Sequence, residues 1–434
     1  MPDDDPLDSS IAGADARRSR RLRERERRST RRKRRVVASL LLGVLFVVAV
    51  AMATGSGGGA SRSRGALKTD GSAGTGSAAT GGRAAVVPGG PLAPRALGGL
   101  AALWAPENVV GLQPGTALAY AAASKRAGLP GYLLIADRGN DRILVVNPQR
   151  GIVFRYPTRE DLAQGRKLIF DDDTFVEPGG NALISNEEDN HAIVQVRLAD
   201  HAMSVLFGHP GEPGSDRTHL RTPDDAYMLP DGTLTVADAY NCRILFIAGH
   251  AIVRRYGHAG ICRHDPPRYL GAVNGDTPLP GGGVLISEIE GSWIDAIDGQ
   301  GRLAFAVRAP VQYPSDPQPL PGGRILLADY ATPGHVLIIN RNGRVLWRYG
   351  PATGRGELNH PSLAMALPNG DVAVNDDYRN RVVVIDPRTN SIVWQYGHTG
   401  APGTAHGYLN TPDGMDFIPA GPNGLPDYAA VVHP

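Results

Sequence analysis

Cysteine is almost missing from this 434-residue chain, which has two, and bulky side chains are scarce, with eight Phe, six Met and four Trp. Two cysteines cannot build a disulfide-dense scaffold, and no C-x-x-C pair is present. The shortage of large apolar side chains speaks against a helical core and for short strands joined by tight turns. Recognisable catalytic signatures are missing too. There is no G-x-S-x-G, no H-E-x-x-H and no P-loop, and the glycine runs "GSGGG" and "PGGG" read as tether and turn. Basic charge is confined to one end: residues 1–35 hold 13 Lys/Arg against 7 Asp/Glu, and the rest of the chain holds 32 against 36. The main body therefore lacks the cationic surface that phosphate contacts demand, and nucleic acid is not an expected partner.

The chain has an excess of Gly, at 55, and Pro, at 35. It also has one long apolar run, "VVASLLLGVLFVVAVAMA", at 36–53. Eighteen uncharged residues are about the shortest stretch that spans a hydrocarbon core, so 36–53 is expected to be a transmembrane helix. The basic residues of 1–35 would hold the N-terminus in the cytoplasm and place the remainder of the chain outside the cell membrane. A cleaved signal peptide is the alternative, and the long n-region argues against it. Residues 54–81, rich in Gly, Ser and Ala, read as a flexible linker.

From 82 to 434 one pattern recurs. "LPDGTLTVADAYNCRIL" at 229–245 is echoed from Leu129, Leu320 and Leu367, and turn prolines Pro178, Pro230, Pro280, Pro321 and Pro368 precede Gly-Gly, Asp-Gly or Asn-Gly. Those dipeptides supply the positive φ of two-residue hairpins. Each turn lies between apolar segments, and two further strands come after it, giving four strands per unit. Asp137, Asn186, Asp238, Glu288, Asp329 and Asp376 mark six such units. A lone four-stranded blade leaves both faces bare, so the units are expected to stand side by side and close a ring, an all-β propeller. At the ends, 411–419 and 425–432 match the first two strands of a further unit, and 83–87 with 98–104 match its other two. Seven blades are expected on this basis, with six and an overlapping closing strand as the alternative.

The pattern around 223–260, P-D-x-x-x-x-L-P-D-G-x-x-x-V-A-D-x-x-N-x-R-I and then Y-G-H-x-G, resembles the NHL-repeat propellers. Through "IDPRTNSIVW" and "NRNGRVLWRYG" it is also similar to quinoprotein-like and arylsulfotransferase-like propellers. The resemblance covers roughly residues 100–432. It implies the fold and leaves function open, because that scaffold carries binding modules, sensor ectodomains and some enzymes. A metal-dependent lyase of this kind would bring histidines from several blades to the axis, and here they scatter.

Six residues before each turn proline stand Asp172, Asp224, Asn274, Ser315, Ser362 and Asp413, with Glu107 or Asn108 in the looser first unit. These open the innermost strands and are expected to ring one channel mouth. They form the candidate ligand-binding set, and Asp172, Asp224 and Asp413 are the candidate ligands of a hard cation such as calcium. Capping of the turn into the strand is the competing structural role. The repeated Asp/Asn/Arg sets (Asp137, Asn140, Arg142; Asp238, Asn241, Arg243; Asp376, Arg381) read as turn builders and ion pairs. His209, His258 and His398 come just after outer strands at the rim and are too dispersed for one ion; of His219, His360 and His406, the last two enter adjacent blades. Trp347/Tyr349 and Trp394/Tyr396 read as packing. Cys242 and Cys262 fall on loops of one face and are expected to pair. No catalytic residue is assigned. The expected function is a membrane-anchored extracytoplasmic module that binds a protein, glycan or small ligand at its loop face, with a hydrolase, lyase or sulfotransferase at the channel mouth as the alternative.

Overall fold

The computed structural model of the chain describes residues 128–433. The proposed membrane helix 36–53, the linker 54–81 and the strands expected at 83–87 and 98–104 lie outside them, as do Glu107 and Asn108. Among the described residues, no helix is long and apolar enough to cross a membrane.

Twenty-four described strands make six four-stranded antiparallel sheets. β1 (Tyr132–Asp137), β2 (Arg142–Val146) and β3 (Ile152–Tyr156) are completed by β24 (Met415–Ile418), which pairs with β1. The other five blades are continuous in sequence, β4–β7, β8–β11, β12–β15, β16–β19 and β20–β23. Their innermost strands are β4 (Asp171–Val176), β8 (Pro223–Met228), β12 (Val273–Leu279), β16 (Pro314–Leu320) and β20 (Ala364–Ala366).

The ring has six blades, which corrects the expectation of seven. The strand at 411–419 is indeed an innermost strand, but it belongs to the unit beginning at Tyr132, which has only three strands of its own. No seventh sheet is needed to cover it. Residues 425–432 are not a strand either. Tyr428–Ala430 forms one 3-10 turn, and Tyr428 and Val431 pack over the layer between the first two blades.

Six apolar layers fill the six gaps between blades. The layer that joins the last blade to the first sets Leu133, Ile135 and Leu144 against Leu363, Val384 and Tyr396. Trp394 lies in it and donates from its indole N–H to the carbonyl of Pro148 across the gap, at 2.8 Å. Trp347 does the same one gap earlier, to Asn390 at 2.9 Å. The expected packing role of these tryptophans therefore includes an anchor to the next blade, which buries the ring without stranding its N–H.

The turns after the innermost strands are longer than two-residue hairpins. In the blade of Pro230 the loop is closed by Leu229 N–H to Thr233 C=O (2.8 Å) and Gly232 N–H to Leu229 C=O (2.9 Å), and Gly232 alone takes a positive φ, of 81°. A glycine in the left-handed region is what the dipeptide provides.

Buried acid–arginine pairs knit three of the blades to their incoming connectors. Asp137–Arg142, Asp238–Arg243 and Asp376–Arg381 lie at 2.6, 2.6 and 2.7 Å, and all six side chains are buried. The second carboxylate oxygen accepts a backbone N–H from the connector, of Asn410, Arg221 and Asn359 respectively. The guanidinium donates to connector carbonyls, for example Arg243 to Ser215 and His219. Asn140 and Asn241 each donate to the same acid at 2.8 Å, which ties the turn between strands two and three as expected. Removing either partner strands the other's buried charge, so Arg243→Met and Asp238→Leu are each expected to lower stability by about 3–5 kcal/mol, while the double variant costs less than the sum of the two. Denaturant melts of the three chains check this, and additive losses would contradict it.

Candidate functional site

The innermost strands do bring the six candidate residues together at one mouth of the channel. Asp172, Asn274, Ser315, Ser362 and Asp413 are buried and Asp224 is partly exposed. Asn274 donates to Asp224 and accepts from the Ser315 hydroxyl at 2.8 Å. Ser362 donates to the backbone carbonyl of Asp413 at 3.0 Å and to the Asp377 carboxylate at 2.8 Å. Bulges explain why so many acids face inward. The register slips between Asp171 and Thr174, Pro223 and Asp225, Val273 and Asp276, and Ser315 and Gln318. Such a slip re-aims the side chains beside it. As a result a deeper tier lies beneath the mouth: Asp173, Asp225, Asp276 and Asp316.

Two residues at the mouth escape a count made from the turn prolines. The Arg138 guanidinium ion-pairs with both Asp172 and Asp413 and reaches Glu188 at 3.4 Å. Arg138 and Glu188 each come directly after the acid that ends a second strand, and the equivalent residues Tyr330 and Asp377 lie at the same mouth, where their electrostatic interactions with Arg138 and Asp413 are felt. That recurrent position was the available signal. Of the expected cation set, Asp413 falls outside the cluster and Glu188 takes its place. The three acids whose ligand oxygens lie within 4.8 Å of one another are Asp172, Glu188 and Asp224.

The electrostatics are those of crowded acids. Burial first, then Asp413, raises the Asp172 carboxyl well above the usual range, against the pull of Arg138. Asp224 is raised by burial and then by Glu188. Burial alone would lower the Arg138 guanidinium; Asp413 and Asp172 outweigh it and keep it firmly charged. In the deeper tier burial pushes Asp225 up to about 7, and Asp173, Asp276 and Asp316 are raised as well, each first by burial and then by a neighbouring acid.

Aromatic rings stand beside the mouth. Phe170 lies under Arg138 at 4.8 Å, and Tyr330 contacts Tyr313, His360 and Tyr378 at centroid distances of 5.2, 4.9 and 6.3 Å. Tyr378 and Tyr240 are exposed. At the opposite mouth is an apolar cavity of about 370 Å³ with Phe175, Tyr227, Met365 and Phe417 among its walls and His433 at its edge. Its one channel carboxylate, Asp416, is engaged by His433 at 2.9 Å and by the Val176 N–H.

The rim histidines take separate partners: His209 stacks on His219, His398 on Tyr408, and His258 is tilted toward Tyr269. Cys242 and Cys262 form the expected disulfide, with Cα atoms 5.3 Å apart.

No family model and no curated protein matches the chain. Solved structures resemble it at low identity. A protein of unknown function from Bacteroides caccae is 17% identical with a TM-score of 0.47, covering 65% of this chain and 97% of its own. A streptogramin B lyase is 15% identical with a TM-score of 0.44, covering 68% and 85%. Virginiamycin B lyase from Staphylococcus aureus is 16% identical with a TM-score of 0.38, covering 52% and 69%.

The raised acids set a pH dependence. Asp225, about 7, and Asp371, pushed up to about 6 chiefly by burial, have folded values above the unfolded value near 3.9. Stability from such groups is fully present below about pH 4 and is lost as pH rises through the folded values. The thermal midpoint is expected to fall between pH 5 and pH 8, and Asp225→Asn to flatten that fall. A midpoint that climbs over this interval contradicts the assignment.

Proposed function

We propose that the propeller is a ligand-binding module, carried outside the cell membrane by the 36–53 segment, whose mouth at Asp172, Glu188 and Asp224 takes a calcium ion or the cationic group of a small ligand. The observation that carries this is the convergence of three carboxylates from two adjacent blades beside a single arginine, with aromatic rings at the rim. Hard oxygen donors in that number suit calcium, with Asn274 and the Ser315 hydroxyl as neighbouring oxygens. Arg138 has a positioning role, since it bridges the Asp172 and Asp413 carboxylates. Tyr330 and Tyr378 offer stacking faces to a sugar or other flat ligand. The apolar run at 36–53, the basic residues before it and the disulfide support the extracytoplasmic placement.

The alternative is a hydrolase, lyase or sulfotransferase working at the same mouth. It draws on the buried acids of the channel, whose carboxyls burial raises above the usual range, the direction a general acid requires.

Calcium titrated alone into the purified full chain tests the first reading. Saturable binding with a rise in thermal midpoint is expected, and Asp224→Asn should weaken it at least tenfold. No calcium binding, or the same binding by Asp224→Asn, overturns the cation site. Protease added to intact cells should remove the propeller if it is outside, and full protection would reverse the orientation.

A further inference from the structure

In the fourth blade the acid–arginine clamp is rebuilt into something else. β13 (Gly283–Glu288) and β14 (Trp293–Ile297) pair in the register of the clamp-bearing blades: Glu288 stands opposite Trp293 as Asp137 stands opposite Arg142, Asp238 opposite Arg243 and Asp376 opposite Arg381. The arginine has become tryptophan. Two residues further, where those blades carry Leu144, Leu245 and Val383, this blade carries Asp295. An apolar core position has thus been replaced by a second acid beside the first, and the cation that neutralised the first has been removed.

Both acids are fully buried, with no exposed surface. Glu288 Oε1 and both Asp295 oxygens have no hydrogen-bond partner. One basic group faces them. His264 Nδ1 lies 3.1 Å from Glu288 Oε2 and 3.6 Å from Asp295 Oδ2, and the three ligand atoms are all within 4.8 Å of one another. The imidazole is held in two ways. It stacks face to face on Trp293, at 3.9 Å and 1° between planes, and it lies two residues beyond Cys262, which the disulfide ties to Cys242 in the preceding blade. The Arg308 guanidinium sits 4.8 Å from the Trp293 ring centroid. Gly271 keeps the approach open, since a Cβ there would fall 2.8 Å from Glu288 Oε2. The His264 side chain is 23% exposed, which gives the pocket a route to solvent.

We propose that His264, Glu288 and Asp295 form a zinc site, separate from the channel mouth and built from the fourth blade and the disulfide loop. A zinc ion about 2.1 Å from each ligand in tetrahedral geometry sets neighbouring ligand atoms about 3.4 Å apart, which is the spacing His264 already has to the two acids. Two carboxylates and a neutral imidazole balance the charge of a divalent ion, and the nitrogen ligand with only two acids favours zinc over calcium, which asks for six to eight oxygens. Solvent supplies the fourth ligand through the opening at His264. Ion binding replaces the lost arginine as the counter-charge and fastens the disulfide loop to the blade.

Zinc alone is titrated into the chelator-treated full chain by calorimetry, with thermal melting in parallel. One tight equivalent and a raised midpoint are expected. Asp295→Leu, which restores the side chain type of the other blades, is expected to fold, to melt no lower than the parent without zinc, and to weaken that equivalent at least a hundredfold. His264→Ala should lose it while leaving the core untouched, and Asp224→Asn, at the mouth, should keep it. A parent chain that takes up no zinc, which would mean that the two acids merely share a proton, overturns the site. So does an Asp295→Leu chain that binds like the parent.

Discussion

Four residue pairs, Tyr132 with Ile418, Leu133 with Phe417, Leu134 with Asp416 and Ile135 with Met415, join the end of the chain to the first described blade. Each blade is apolar on both faces, so a row of blades buries its interior only if the two outermost faces also meet. That ladder lets them meet, and it removes the open strand edge that β1 would otherwise present. The same segment furnishes the site. Just before the ladder, Asp413 N–H donates to the Ala136 carbonyl and Gly414 N–H to the Asp172 carbonyl, and the Asp413 carboxylate pairs with Arg138. Ring closure and assembly of the mouth are therefore one event. A chain that fails to close loses Asp413 from the mouth and with it one of the carboxylates that hold Arg138.

The polar interior reflects a second constraint, that a buried charge needs a partner. In the first, third and sixth blades the partner is an arginine. In the second, Glu187 makes do with the Asn190 amide at 2.6 Å and the Ile169 N–H at 2.8 Å, and in the fifth Asp329 has the Gln312 N–H and His335. Connector contacts to the acid thus persist when the arginine is gone. The acid's first duty is to hold the entering strand, and arginine is the reinforcement. This is why the repeat tolerates loss of arginine in three of six blades without losing the blade.

The blade, the disulfide and the mouth were legible in the sequence because each recurs or is unique: a turn proline every 41 to 52 residues gives a ruler, six steps back from it lies the mouth, and two cysteines leave one pairing. Blade number was harder to read. The first unit keeps three strands and borrows the fourth from 415–418, and a repeat pattern does not say which end lends to which. Arg138 and Glu188 were overlooked for a geometric reason. They sit past the end of the second strand, on a different ruler, and only the curl of the turn brings them to the mouth beside Asp172.

Departures from the repeat are where chemistry is to be sought in such a fold, because what every blade shares must serve the ring. The second blade departs from it by placing acids at both mouth positions, Asp172 and Glu188, where the other described blades pair Asp413 with Arg138, Asp224 with Ala239, Asn274 with Ile289, Ser315 with Tyr330 and Ser362 with Asp377. Glu288, Trp293 and Asp295 depart further. A second buried acid in place of Leu or Val gives up apolar packing and adds repulsion: burial, then Glu288, pushes the Asp295 carboxyl up to about 9. Packing alone gives no reason for that exchange, and a positively charged occupant does. The disulfide argues the same way. It ties down the connector that supplies His264, at the clamp position where arginine has given way to tryptophan, so the covalent link and the substituted clamp serve the same imidazole.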